Sequence, residues 1–244
     1  MEAAGLAVGV VSLAGLFNTA LDAYKGIRHG HDFGKDYTIC AYKLSLTRLR
    51  LSRWGESLGL SGNIEEDQTL PSTLGTAQEV KQAERILRLI IDLIDDFPTL
   101  PNEHPTSANQ RDGAKLIKKM QDLSIKRENN VRPEEPIWTK THVNASIWKK
   151  SKWVLYKRED SERLVEKVSS LITDLVDLFP AAKGQRRQLC KNDGAELIDG
   201  NAPTDLEELK EAAEAVDDDL LASLLDVIRN CVSSSKYYFS IIVS

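Results

Sequence analysis

Residues 3–21, AAGLAVGVVSLAGLFNTAL, run uncharged between Glu2 and Asp22, and no other part of the chain goes so long without a charge. At about 1.5 Å per residue this stretch makes a helix just under about 30 Å long, so its length permits a bilayer span. Its composition does not compel one. Five positions are alanine and three are glycine, and Ser12, Asn18 and Thr19 would need hydrogen-bond partners in lipid. A secretory signal is disfavoured, because Glu2 precedes the apolar run and the first cation is Lys25. Leu6, Val10, Leu13, Phe17, Leu21 and Tyr24 recur at helical spacing along one face, as in a core helix of a bundle. Gly5 and Gly9 form a small-xxx-small pair that allows close helix approach in water or in lipid.

The rest of the chain reads as helices around this one. The first helix is expected to continue to about His29 and to stop at Gly30, with Asp32 or Asp36 capping the next. A second helix, about Gly34 to Leu58, carries two apolar stripes. Tyr37, Ala41, Leu44, Leu51 and Leu58 lie on one side, and Ile39, Tyr42, Leu46 and Leu49 on the other. Such a helix belongs in the middle of a bundle, and its Arg48, Arg50 and Arg53 must reach the surface along their stems or pair with acids.

Ser61 to Thr76 is a loop by composition, and a third helix from Thr76 to Phe97 buries Val80, Ile86, Leu87, Ile90, Ile91, Leu93 and Ile94. A proline-rich connection at 98–109 precedes a helix at about Arg111 to Arg127, and Val143–Tyr156 and Ser161–Phe179 form a further helix pair. LIIDLIDDFP at 89–98 and LITDLVDLFP at 171–180 are two helices stopped the same way. A final helix is expected to open at a Thr204/Glu207 capping box and run to about Asn230. The fold class is therefore all-α, a multi-helix bundle of about seven to nine helices with room for one very short β-hairpin.

Net charge is only −5, so the total implies neither general nucleic-acid affinity nor disorder. Its distribution is uneven. Six Lys and Arg and no acid fall between Trp138 and Arg158, whereas Glu196 to Asp226 holds eleven acids against Lys210 alone. The basic stretch interleaves Trp148, Trp153 and Tyr156 with lysines. Its plain account is a solvated helix face, and its functional account is contact with anionic lipid through Lys149, Lys150, Lys152 and Arg158. Nucleic acid is not expected as a partner.

Catalytic signatures are missing: there is no nucleophile elbow, phosphate-binding glycine loop or set of spaced metal ligands. His29 and His31 beside Asp32 lack a fourth ligand, and Cys40, Cys190 and Cys231 are odd in number and widely spaced. No catalytic residue, metal or cofactor is expected, and the cysteines suit a reducing compartment.

Six stretches, AGLFN at 14–18, FGKDY at 33–37, RLSRWGE at 50–56, KKSKWVLY at 149–156, FP at 179–180 and LKEAAEAVD at 209–217, occur in order along residues 1 to about 232. Together they resemble the HeLo domain of fungal heterokaryon-incompatibility and prion-system proteins, RLSRWGE being the most specific. The resemblance implies a helical domain over 1–232 that dimerises or oligomerises, with a short tail at 233–244. It also implies a cell-death effector that releases its N-terminal helix into a membrane when activated, moving from cytoplasm to plasma membrane. The inserting residues would be Leu6, Val10, Leu13, Leu16, Phe17 and Leu21, and His31, Asp32 and Phe33 would form the turn that governs release. An amyloid-signalling protein would be the activating partner. In that family a C-terminal segment folds into a β-solenoid, for which SSSKYYFSIIVS after Val232 is too short, although Tyr237 to Val243 has an aggregation-prone composition. The alternative is a non-lytic module that dimerises with a related effector and restrains it.

Overall fold

The computed structural model describes the backbone over residues 2–28, 35–61, 75–96, 112–128, 153–154 and 158–227, with side chains over 11–25, 38–61, 75–96, 113–128 and 159–227. The described elements are α1 (Glu2–Ala23), β1 (Ile27–Arg28), α2 (Lys35–Ser57), α3 (Ala77–Asp95), α4 (Asp112–Glu128), β2 (Trp153–Val154), α5 (Arg158–Leu178), α6 (Lys183–Ile198) and α7 (Pro203–Glu214). A further helical stretch, α8, covers 219–227. The fold is all-α, with one two-residue strand pair among the described residues.

α2 is the axis of the bundle. It packs against α4, α5, α6 and α7, while α1 lies chiefly on α3 and α3 in turn packs on α5. The two apolar stripes explain the central position, since Tyr42, Leu44, Leu46, Leu49, Leu51 and Trp54 are all buried, on more than one side of the helix. α3 begins at a capping box. Thr76 accepts a hydrogen bond from the Glu79 backbone N–H at 3.3 Å while the Glu79 carboxylate accepts one from the Thr76 N–H.

Four expectations need correction. α1 ends at Ala23, followed by a 3-10 turn over Tyr24–Gly26 and the strand Ile27–Arg28, so it does not continue to His29. The strand pair is parallel, with Ile27 opposite Trp153 and Arg28 opposite Val154, and parallel partners this far apart in sequence cannot form a hairpin. Trp153–Val154 is accordingly extended, and a helix from Val143 to Tyr156 is excluded there; 143–152 and 155–156 lie outside the described residues.

The last helix also differs. α7 opens with Pro203 at its first turn, and Ala202, not Thr204, occupies the cap without a side-chain bond. It stops before Asn230 because Asp217 turns left-handed, with φ 54°. The Asp218 N–H then donates to the Ala213 carbonyl at 2.9 Å and the Asp217 N–H to that of Glu214 at 3.2 Å, the paired bonds of a Schellman ending. Asp218 caps α8 through the Leu221 and Ala222 N–H groups.

α6 is an unforeseen helix. Pro180 and a 3-10 turn over Pro180–Ala182 separate it from α5, and Arg186 reaches back to the Phe179 carbonyl at 3.0 Å. Its C-terminal carbonyls are met by lysines of α4, with Lys119 donating to the Glu196 carbonyl at 2.9 Å and Lys115 to that of Gly200.

Candidate functional site

The uncharged helix is seated by shape. Leu13, Leu16, Phe17, Ala20, Leu21 and Tyr24 are buried, a helical recurrence that places them all on the inner face of α1 and its closing turn, while Val11 is 49% exposed. The Phe17 ring meets Trp54 edge-on at 6.1 Å, and Trp54 in turn meets Phe179 at 6.0 Å. Trp54 is itself fixed, donating from Nε1 to the Leu175 carbonyl at 3.0 Å. Gly55 leaves the space that Phe17 occupies, for a Cβ there would stand 2.3 Å from the ring carbons. Thr19 Oγ1 donates to the Gly15 carbonyl at 2.9 Å, so its hydroxyl is satisfied inside the helix whatever solvent surrounds it.

Among the described side chains of α1, charge enters only at its C-terminal end. Lys25 Nζ lies 2.7 Å from Asp22 and also bonds Glu128 at the end of α4, whose other oxygen accepts from Arg48 of α2 at 3.1 Å. Burial pushes the Glu128 carboxyl upward, and its hydrogen bond with Asp22 adds to the effect against the pull of Lys25. For Asp22 burial acts upward too, but bonds from Glu128 and Lys25 carry it below its ordinary range. Tyr24, fully buried beside this cluster, has a phenol held well above its usual range by burial.

The RLSRWGE motif at 50–56 is the junction to which the other helices attach. Arg50 donates to the Val216 carbonyl at 2.8 Å and to Thr173 at 3.1 Å, tying the α7–α8 turn to α5. Arg53 forms a buried pair with Asp218 and lies 3.4 Å from Asp193 of α6. Burial opposes its charge, yet Asp218, Cys190 and Asp193 outweigh that and raise its pKa. Glu56 holds Arg127 of α4, which also bonds Asp193 at 2.5 Å. Asp193 itself is pushed upward by burial, against the pull of both arginines. Within seven residues the motif thus contacts α1 through Trp54 and Gly55, α4 through Glu56, α5 through Arg50 and Trp54, α6 through Arg53, and the α7–α8 turn through both arginines. One short segment of α2 holds α1, α4, α5, α6 and the α7–α8 turn together. Among the described residues no group of three or more His, Cys, Asp or Glu side chains could hold a metal ion.

Of the expected site residues, Leu13, Leu16, Phe17 and Leu21 are brought together in the seat. Leu6 and Val10 belong to α1, but their side chains, like that of Arg158 at the start of α5, are outside the described set. His31, Asp32, Phe33, Lys149, Lys150 and Lys152 lie outside the described residues. Among the described residues no helix is long and apolar enough to cross a membrane. Sequence reasoning missed Gly55, Glu128, Asp193 and Asp218. The demand that the α2 arginines find acids pointed toward the three carboxylates without naming them, and Gly55 stood in the RLSRWGE motif with no role assigned.

Residues 5–211 match the HeLo family, described as prion-inhibition and propagation. Heterokaryon incompatibility protein s of Podospora anserina is 26% identical over 239 residues, spanning 93% of this chain and 76% of that protein. Heterokaryon incompatibility protein S of the same organism is 25% identical over 235 residues, spanning 91% and 75%. In three dimensions the HET-s N-terminal domain is similar with a TM-score of 0.67 at 22% identity, covering 91% of this chain and 98% of that one. A double mutant of that domain gives 0.64 at 21%, covering 88% and 96%.

Proposed function

This chain belongs to the HeLo family, and from that premise we propose that it is a fungal cell-death effector of the heterokaryon-incompatibility type, which acts by releasing α1 into a membrane. The observation that carries this reading is the way α1 is held. Its inner face is apolar, its seat is a gap at Gly55, and the charge cluster that fastens it lies at one end, around Lys25 and Glu128. Leaving the bundle therefore strands no buried ion pair along its length.

Burying Leu13, Leu16, Phe17 and Leu21 contributes roughly 1.5–3 kcal/mol each, and acyl chains offer the same burial. The two environments compete closely, and any change that loosens the seat shifts the population outward. Ser12, Asn18 and Thr19 favour entry as an oligomer, where they face one another and not lipid. His31, Asp32 and Phe33 would serve as the release turn. Lys149, Lys150, Lys152 and Arg158 would draw the domain to anionic headgroups, each contributing about 1 kcal/mol near such a surface. The protein would reside in the cytoplasm and move to the plasma membrane on activation by an amyloid-signalling partner. No catalytic residue takes part.

Leakage of dye from vesicles containing anionic lipid tests this. The full chain carrying Gly55→Ala, whose seat is blocked, should leak more than the unaltered chain, and deletion of residues 1–21 should abolish leakage in both. Equal leakage after the deletion would overturn the proposal.

A further inference from the structure

The outer face of α3 carries charges in the order a lone helix disfavours. Lys81 and Arg85 stand in its first half and Arg88 just past its middle, while Asp92, Asp95 and Asp96 crowd its last turn and cap, all of them exposed. A helix C-terminus bears partial negative charge, so acids there and bases toward the N-terminus both oppose the macrodipole. Lys81 and Arg85 are like charges one turn apart, as are Asp92 and Asp96, which adds repulsion along the face. Asp95 reports the crowding: burial and then the carboxylates of Asp92 and Asp96 raise its pKa. None of the three cations makes an ion pair among the described residues, although Arg88 and Asp92 are four apart. Between the two blocks lies Leu89, 51% exposed.

At about 100° per residue Lys81, Arg85, Leu89, Asp92 and Asp96 fall in one stripe down the centre of this face, opposite the buried Val80, Ala83, Leu87, Ile90 and Ile94. We propose that the stripe is a self-recognition surface, on which a second copy of this chain lays its own α3 antiparallel about a two-fold axis between Arg88 and Leu89. In that register Lys81 meets Asp96 and Arg85 meets Asp92, each twice by symmetry, and Gln82 faces Asp95. At the centre Leu89 packs on the aliphatic stem of the partner's Arg88, whose guanidinium stays wet. Lys81, Arg85, Asp92 and Asp96 then each have an opposite charge across the interface. The ion-paired span, Lys81 to Asp96, is about 22 Å long at ~1.5 Å per residue.

The antiparallel register makes a specific demand on variants. In a homodimer Arg85→Glu brings two carboxylates together at the contact between positions 85 and 92, and Asp92→Arg brings two guanidinium groups together there. Each should therefore weaken self-association of the full chain by roughly tenfold or more. Mixed in equal amounts, the two variants restore opposite charges at one of these two contacts and exchange them at the other, so they should form a heterodimer more readily than either self-associates. Sedimentation velocity at micromolar concentration reads this out, and circular dichroism melts of these surface variants establish that both are folded. Association should also weaken with added salt.

Four outcomes would overturn the proposal: an unaltered chain that is monomeric throughout the micromolar range; single variants that associate unchanged; a mixture that stays monomeric; or Arg85→Glu losing and Asp92→Arg gaining affinity for anionic vesicles with self-association unaltered. The last would assign the face to lipid. None depends on whether α1 enters a membrane, so this proposal and that reading fail separately.

Discussion

The Phe17 ring occupies the volume that a side chain at Gly55 would take, with its carbons 2.3 Å from an ideal Cβ position. α1 and α2 are in register only while position 55 is bare. Gly55→Ala should destabilise the domain by about 1–3 kcal/mol through overpacking, since neither Trp54 nor the α2 backbone can yield easily. Gly184, near the start of α6, has nothing within 4 Å of a built Cβ and is the control. Gly184→Ala should be neutral or stabilising by up to about 1 kcal/mol. Thermal melts of the two variants check the contrast, and equal losses would count against the seat.

Arg53 and Asp218 form the buried tie between α2 and the start of α8, with side chains 4% exposed on both partners. Asp218→Asn removes the charge without much change in shape and leaves Arg53 with Asp193 at 3.4 Å, a contact between Arg53 Nε and Asp193 Oδ2 that is no hydrogen bond. Breaking such a pair costs about 3–5 kcal/mol. Glu56 is 35% exposed in its pair with Arg127, so Glu56→Gln should cost below about 1 kcal/mol. Urea unfolding of both variants should separate them clearly.

How far the fold was legible follows from how each helix is buried. α2 announced itself because it is buried by hydrocarbon on two sides, and its arginines signalled that acids must lie near. α6 gave no such sign: its buried face is Arg186, Cys190, Asp193, Gly194 and Leu197, with Arg186 held by the Phe179 carbonyl and Asp193 by two arginines, polar contacts to which hydrophobic periodicity is blind. The α7–α8 break was hidden for a related reason. Apolar spacing continues through 209–225, and the interruption rests on Asp217 adopting a conformation that few residues other than glycine take. Strands of two residues lie below any sequence signal. In the candidate site, the apolar half of the seat could be read from residues 3–21, but its other half could not, because a glycine marks a close approach only when the approaching ring is known.

Glu128 divides its carboxylate between an exposed and a buried cation, and the two should not count equally. Lys25 has 46% of its side chain exposed, whereas Arg48 is 6% exposed. Lys25→Ala should therefore cost less than about 1 kcal/mol, water replacing the lost partner. Glu128→Ala leaves the Arg48 guanidinium buried without its carboxylate and should cost about 3–5 kcal/mol. Chemical denaturation of the two variants measures this, and a Lys25→Ala loss as large as that of Glu128→Ala would show that the latch on α1 is stronger than its exposure implies.

Stability should fall as pH rises above about 9, and two buried groups set the sign. Burial raises the Cys190 thiol from its ordinary 9.0 to about 11, and raises the Tyr24 phenol above its ordinary 10.0. Between pH 9 and 11 the unfolded chain releases the thiol proton while the folded chain keeps it. The folded state then binds more protons, and the stability of the fold decreases with pH through that window. A gap of about two units makes the Cys190 share on the order of 2 kcal/mol at pH 11. Tyr24 acts the same way from pH 10 upward, as does Lys25, whose pKa is raised because bonds to Asp22 and Glu128 outweigh its burial. Urea midpoints taken from pH 8 to 11 should decline more shallowly in Cys190→Ala from about pH 9, and in Tyr24→Phe only from about pH 10. Parallel declines in all three proteins would mean that neither group keeps its proton in the fold. Because Tyr24 closes the inner face of α1, the same alkaline shift should raise vesicle leakage if release of that helix follows loss of its seat.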